Sequence, residues 1–161
     1  MSNHTEIPDG YTTVTPWVIT DDTARLIDFL TEAFDATELA RVPNEDGGIG
    51  HAEVRIGDAV VMMFDTPAGW PATPAFLRLF VPDTDAAHAK ALAVGATSVT
   101  EPTDLFWGDR VSRIRDPFRN IWWLQSRVDD PTPDEIATRA TDPTFTAAMT
   151  YVQDSLATAY A

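Results

Sequence analysis

Three chemistry-bearing side chains alternate with small apolar ones in the run His51-Ala52-Glu53-Val54-Arg55-Ile56. Residues two apart on a strand project to the same face, so an extended chain here sets an imidazole, a carboxylate and a guanidinium in one row. An imidazole beside a carboxylate is the pairing a general base needs, because the carboxylate orients the ring and supports its positive charge. The same row also suits an ordinary polar strip bonded to a neighbouring strand or to water. The spacing allows both. The other histidines offer less: His4 falls in a polar N-terminal stretch and His88 in a helical pattern, and both are expected to be solvated. With no cysteine in the chain, disulfides, thiolate metal sites and cysteine nucleophiles are excluded.

The elements that must position this row occur twice, about sixty residues apart. Val18-Ile19-Thr20-Asp21-Asp22 opens one apolar-periodic stretch, and Phe80-Val81-Pro82-Asp83-Thr84-Asp85 opens another. Internal repetition of this kind fixes architecture before any single element is assigned. Within the first copy, Thr13 to Thr20 reads as a strand carrying Pro16. Asp21 or Asp22 then caps a helix with Leu26, Ile27, Leu30, Ala33 and Phe34 on one face. A hairpin follows, His51 to Ile56 and Ala59 to Phe64 around Gly57-Asp58. In the second copy Asp83 or Asp85 caps the helix and Gly95 stops it. The last two strands there flank Asp116-Pro117-Phe118-Arg119-Asn120.

The expected fold class is therefore α+β, two βαβββ repeats whose curved half-sheets face one another over a cleft, with a C-terminal helical tail. The boundaries read as a loosely ordered N-terminus over 1–12, a first module over 13–66, a linker over 67–74, a second module over 75–128 and the tail over 129–161. Phe145, Met149, Val152 and Leu156 give the tail an apolar stripe, which suits packing on the domain or on a partner subunit.

In order and content these segments resemble the vicinal oxygen chelate superfamily of glyoxalases, bleomycin-resistance proteins and dioxygenases, and within it the PhnB-like branch. The segments that carry the resemblance are Thr15-Pro16-Trp17-Val18-Ile19 with Asp22 to Phe29, His51 to Asp58, Phe106-Trp107-Gly108-Asp109-Arg110, and Arg115 to Trp122. Together they cover roughly residues 7–128. Enzymes of this superfamily hold a divalent metal at four positions, two per repeat. Laid on this chain, those positions fall on Thr15, Met63, Phe76 and Trp123. None offers the imidazole or carboxylate that such ions require, so no metal and no cofactor is expected. The glycine-histidine pair that the family places before the final strand is replaced by Arg119-Asn120.

The resemblance implies a homodimer and a small-molecule site. Thr15, Trp17, Met63, Phe76 and Trp123 would line it, Trp107 and Trp70 would border its opening, and Arg78 and Arg110 would anchor polar groups. Trp122 and Leu124 should pack on the opposite side. Asp109-Arg110 fits either a loop-locking ion pair or a ligand contact. The formal charge of −14, with Lys90 the single lysine, makes nucleic acid an unsuitable partner. That charge serves solubility or draws in a cationic ligand. No apolar run suits a membrane span and no signal-peptide pattern opens the chain, so a cytoplasmic protein is expected. The leading expectation is a binding protein that captures a small cationic or aromatic molecule, as in drug sequestration. The alternative is a lyase, isomerase or dioxygenase-like enzyme working through His51 and Glu53.

Overall fold

The computed structural model describes residues 7–160. Long-range contacts divide the chain into two units, the first running to Ala75 and the second starting at Phe76.

In the first unit, β1 (Trp17–Thr20) leads into α1 (Thr23–Phe34), followed by β2 (Thr37–Pro43), β3 (Ile49–Ile56) and β4 (Ala59–Asp65). The strands form one mixed sheet in the order β1-β4-β3-β2, with β1 parallel to β4. Asp22 caps α1 by accepting from the Arg25 N–H at 3.1 Å. Asp65 ties the unit together: its carboxylate accepts from the Thr23 N–H at the helix start and from the Ile49 N–H at the start of β3, both at 2.7 Å. Leu26, Ile27 and Leu30 of α1 pack with Val18, Ala52, Val54 and Met63 in a closed core.

The second unit repeats the order with β5 (Phe76–Phe80), α2 (Thr84–Ala93), β6 (Thr97–Asp104), β7 (Asp109–Arg115) and β8 (Ile121–Arg127), then adds α3 (Pro133–Arg139) and α4 (Pro143–Ala159). Its sheet runs β5-β8-β7-β6, again with the first strand parallel to the last. Trp122 and Leu124 are fully buried on the α2 side. On the opposite side α4 lies against β6, and Val152 joins Leu105 and Val111 in a second apolar cluster. The tail therefore packs on its own unit.

Three expectations change. The first strand begins at Trp17, because residues 12–15 form a turn in which the Thr15 hydroxyl donates to the Thr12 carbonyl. His88 is buried, at 3% exposure, since Thr84, His88 and Ala91 make one stripe on the sheet-facing side of α2. Desolvation lowers its pKa and favours the neutral ring. His4 lies outside the described residues.

The third change concerns register. Trp17 pairs with Met62 and Arg78 pairs with Trp123, so the repeat offset is 61 rather than 60 (78 − 17, 123 − 62). The residue equivalent to Trp123 is Met62. Met63 stands one place on, on the helix-facing side, with no exposed surface. A one-residue shift moves a side chain to the other face of a sheet.

Arg119 adopts φ of 75° at the position that the family pattern fills with glycine. The turn is held by Asp116, whose Oδ1 accepts from the Phe118 and Asn120 N–H groups and whose Oδ2 accepts from Asn120 Nδ2 and Trp122 Nε1, at 2.8 to 2.9 Å. A left-handed conformation costs an L-residue about 1–2 kcal/mol.

Two outcomes follow for urea unfolding. Met63→Ala should lose about 2–5 kcal/mol as a buried truncation, and Met62→Ala much less. Arg119→Gly should gain on the order of 1 kcal/mol, because the turn is retained and its strain removed.

Candidate functional site

On the side of the first sheet away from α1, a row crosses three strands: Trp17 of β1, Met62 of β4 and Glu53 of β3, each opposite the next. His51 and Arg55 share this face by alternation along β3. His51 Nε2 lies 2.8 Å from Glu53 Oε1, and the Tyr11 hydroxyl donates to Glu53 Oε2. The Tyr11 hydroxyl foremost, and His51 next, hold the Glu53 carboxyl below the usual carboxylate range. Glu53 in turn raises the Tyr11 phenol. The row thus presents a carboxylate that stays ionised.

Around it runs a chain of edge-to-face rings. Trp17 sits 5.6 Å from His51 and 5.5 Å from Phe64, and Phe64 sits 6.2 Å from Trp70, centroid to centroid. Trp17 and Trp70 remain about half exposed, at 48% and 56%. Beside the row lies a groove of about 510 Å³ lined by Ile7, Pro8, Tyr11, Thr15, Glu53 and Met62, among others. That volume suits a drug-sized molecule. Sequence reasoning found His51, Glu53, Trp17 and Thr15 for this surface. It missed Tyr11, which sits in a stretch without periodicity, and it placed Met63 where Met62 belongs.

The remaining expected site residues fall in the second unit. Phe76 and Arg78 are exposed on β5. Trp123 is half-buried, stacked between Arg78 and Arg113. Trp107 donates to Asp109 Oδ2 at 2.8 Å and packs against the Leu105–Val111–Val152 cluster, so it supports α4. Arg110 is held by Asp85 at 2.5 Å and Asp104 at 2.8 Å. Asp109 pairs instead with Arg127 at 2.7 Å. Asp109 and Arg110, being neighbours on a strand, point to opposite faces and do not pair with each other.

Among the described residues no three of His, Asp or Glu converge as a metal cluster would. With the register corrected, the four positions used by metal enzymes of the resembled family carry Thr15, Met62, Phe76 and Trp123. A hydroxyl, a thioether and two aromatic rings do not fit a hard or borderline divalent cation.

Comparison with known proteins shows the family. The family model described as Glyoxalase/Bleomycin resistance protein/Dioxygenase superfamily matches residues 3–124, and the chain belongs to that superfamily. It is 41% identical to the uncharacterized protein Rv0887c of Mycobacterium tuberculosis, over 76% of this chain and 79% of that one. Among solved structures it is similar to TioX from Micromonospora sp. ML1, with a TM-score of 0.62 at 24% identity, covering 72% of this chain and 98% of the other. It is also similar to the fosfomycin resistance protein FosX of Listeria monocytogenes (TM-score 0.60, 14% identity, 78% and 97% covered). The PhnB protein of Bacillus cereus shares the fold as well (TM-score 0.54, 13% identity, 71% and 99% covered). Helices α3 and α4 lie beyond the stretch that the family model matches.

The Tyr11–Glu53 bond has a pH signature. Glu53 has a folded-state pKa below its unfolded value. Its contribution to stability is therefore present above the unfolded pKa and lost as pH falls through the folded one. Tyr11→Phe removes the largest cause of that shift. In a carboxyl-carbon NMR titration, the Glu53 midpoint should rise toward the ordinary carboxylate range in this variant.

Proposed function

We propose that this protein captures a small aromatic or amphipathic cation in the groove of its first repeat, without a metal, and sequesters it rather than transforming it. The observation that carries this reading is the row Trp17–Met62–Glu53, which sets an exposed indole and a thioether beside an ionised carboxylate on one open sheet face. An aromatic cation gains stacking on Trp17, dispersion against Met62 and charge pairing with Glu53. The net charge of −14 raises the local concentration of such a ligand. The donor chemistry at Thr15, Met62, Phe76 and Trp123 favours binding over metal-assisted turnover. FosX, a fosfomycin resistance protein of similar fold, makes a role in resistance to a toxic small molecule a reasonable setting. No helix among the described residues is long and apolar enough to cross a membrane. We further propose a cytoplasmic homodimer; light scattering after size exclusion should give twice the chain mass of 17.7 kDa.

A second reading rests on the 2.8 Å contact between His51 and Glu53, which is the geometry of an oriented general base. A tryptophan-fluorescence titration with N-methylquinolinium separates the two. Saturable quenching should weaken about tenfold, roughly 1.4 kcal/mol, in Glu53→Gln and similarly in Trp17→Ala. His51→Ala should weaken it less. Absence of saturable quenching, or equal affinity in Glu53→Gln, would overturn the binding reading. Product formation abolished by His51→Ala would establish the enzyme.

A further inference from the structure

Several arginines of this acidic chain are matched locally by carboxylates. Arg41 holds Glu38, Arg110 holds Asp85 and Asp104, Arg127 holds Asp109, and Arg139 holds Asp129. Arg78 and Arg113 differ. Among the described residues neither bonds a carboxylate, and both stack on the same indole, with Cζ 4.7 and 4.1 Å from the Trp123 ring centroid. The register explains why: Arg78, Trp123 and Arg113 are directly opposite one another on β5, β8 and β7. They form one row across the face that α2 does not cover.

The inner end of that row is buried. Arg113 is 4% exposed. Its Nη1 donates to the Thr100 hydroxyl at 3.1 Å and to the Val152 carbonyl of α4 at 2.6 Å. Among the described residues its Nε has no acceptor, and neither has the buried Nε1 of Trp123. Burial first, and the charge of Arg78 second, press the Arg113 pKa down. Among the described residues the acceptors that Arg113 bonds are both neutral, and a buried guanidinium with no bonded counter-charge is an unfavourable arrangement. Water could satisfy the orphaned N–H groups but could not neutralise two positive charges. An oxyanion does both. Arg78 is exposed, so the outer end of the row faces solvent.

We propose that the Arg78–Trp123–Arg113 row is an oxyanion subsite, taking the carboxylate or phosphoryl group of a small molecule. Guanidinium N–H groups and an indole N–H are suited to such an acceptor, and charge-assisted bonds of this kind are the strong ones. The subsite lies wholly in the second repeat and does not depend on the cation-binding reading of the first.

The test uses the full-length, nitrogen-15-labelled protein titrated with inorganic phosphate, and separately with acetate, at constant ionic strength set by chloride. The signal is the Trp123 indole N–H, identified by its loss in Trp123→Phe. A saturable downfield shift of that resonance is expected, with affinity at least about fivefold weaker in Arg78→Gln. Arg113→Lys keeps the charge but loses the Nε donor, and it should also weaken binding where circular dichroism shows the fold retained. Arg78→Gln, at an exposed position, carries the test if the Arg113 variant does not fold. No saturable shift with either anion at tens of millimolar would overturn the proposal. So would a shift of equal affinity in Arg78→Gln.

Discussion

In each repeat the first strand lies parallel to the last, and this pairing decides which side chains can act together. It sets Trp17 against Met62 in one sheet and Arg78 against Trp123 in the other. Strand alternation then assigns the remaining residues to a helix-facing side or an open side. On the helix-facing side, Val18, Met63, Val54 and their counterparts Trp122 and Leu124 are buried. Hydrophobic burial of those residues holds the register, because a slip by one would expose them all. The open side carries the rest, which includes Trp17, Glu53 and Met62 in the first repeat and Arg78, Arg113, Trp123 and Val111 in the second.

The two open faces are chemically opposite. The first presents a carboxylate, Glu53, kept ionised by the Tyr11 hydroxyl and His51. The second presents two guanidiniums around an indole. Each face is also covered by a segment from one end of the chain. The stretch containing Tyr11 reaches across to Glu53, and α4 lays Val152 over Val111 and Arg113. The additional helices are thus part of how this member of the superfamily shapes its second repeat.

Much of this was legible without coordinates. The repeat, a cap at Asp21 or Asp22 and another at Asp83 or Asp85, the hairpin at Gly57-Asp58 and the side taken by Trp122 and Leu124 rest on local turn chemistry and short-period alternation; the structure selects Asp22 and Asp83 as the caps. These signals survive in any context. Other readings failed where a single residue of count mattered. A repeat offset of sixty puts Met63 on the open face, and one residue of error inverts a strand. The helical pattern around His88 suggests a solvated ring, yet it lies with Thr84 and Ala91 on the buried stripe of α2. Arg110 bonds Asp85 and Asp104, and Trp107 bonds Asp109 and packs beside Val152.

By itself, the sequence determined the element order, the repeat and the absence of imidazole or carboxylate at the positions where the superfamily binds metal. All of these depend on residue type and on neighbours close along the chain. Only the tertiary structure decided that Tyr11 locks Glu53 from 42 residues away, that α4 folds back onto its own sheet, and that Arg78 and Arg113 share one indole. Those contacts join segments whose meeting is set by strand register and core packing. No local pattern in the chain encodes them.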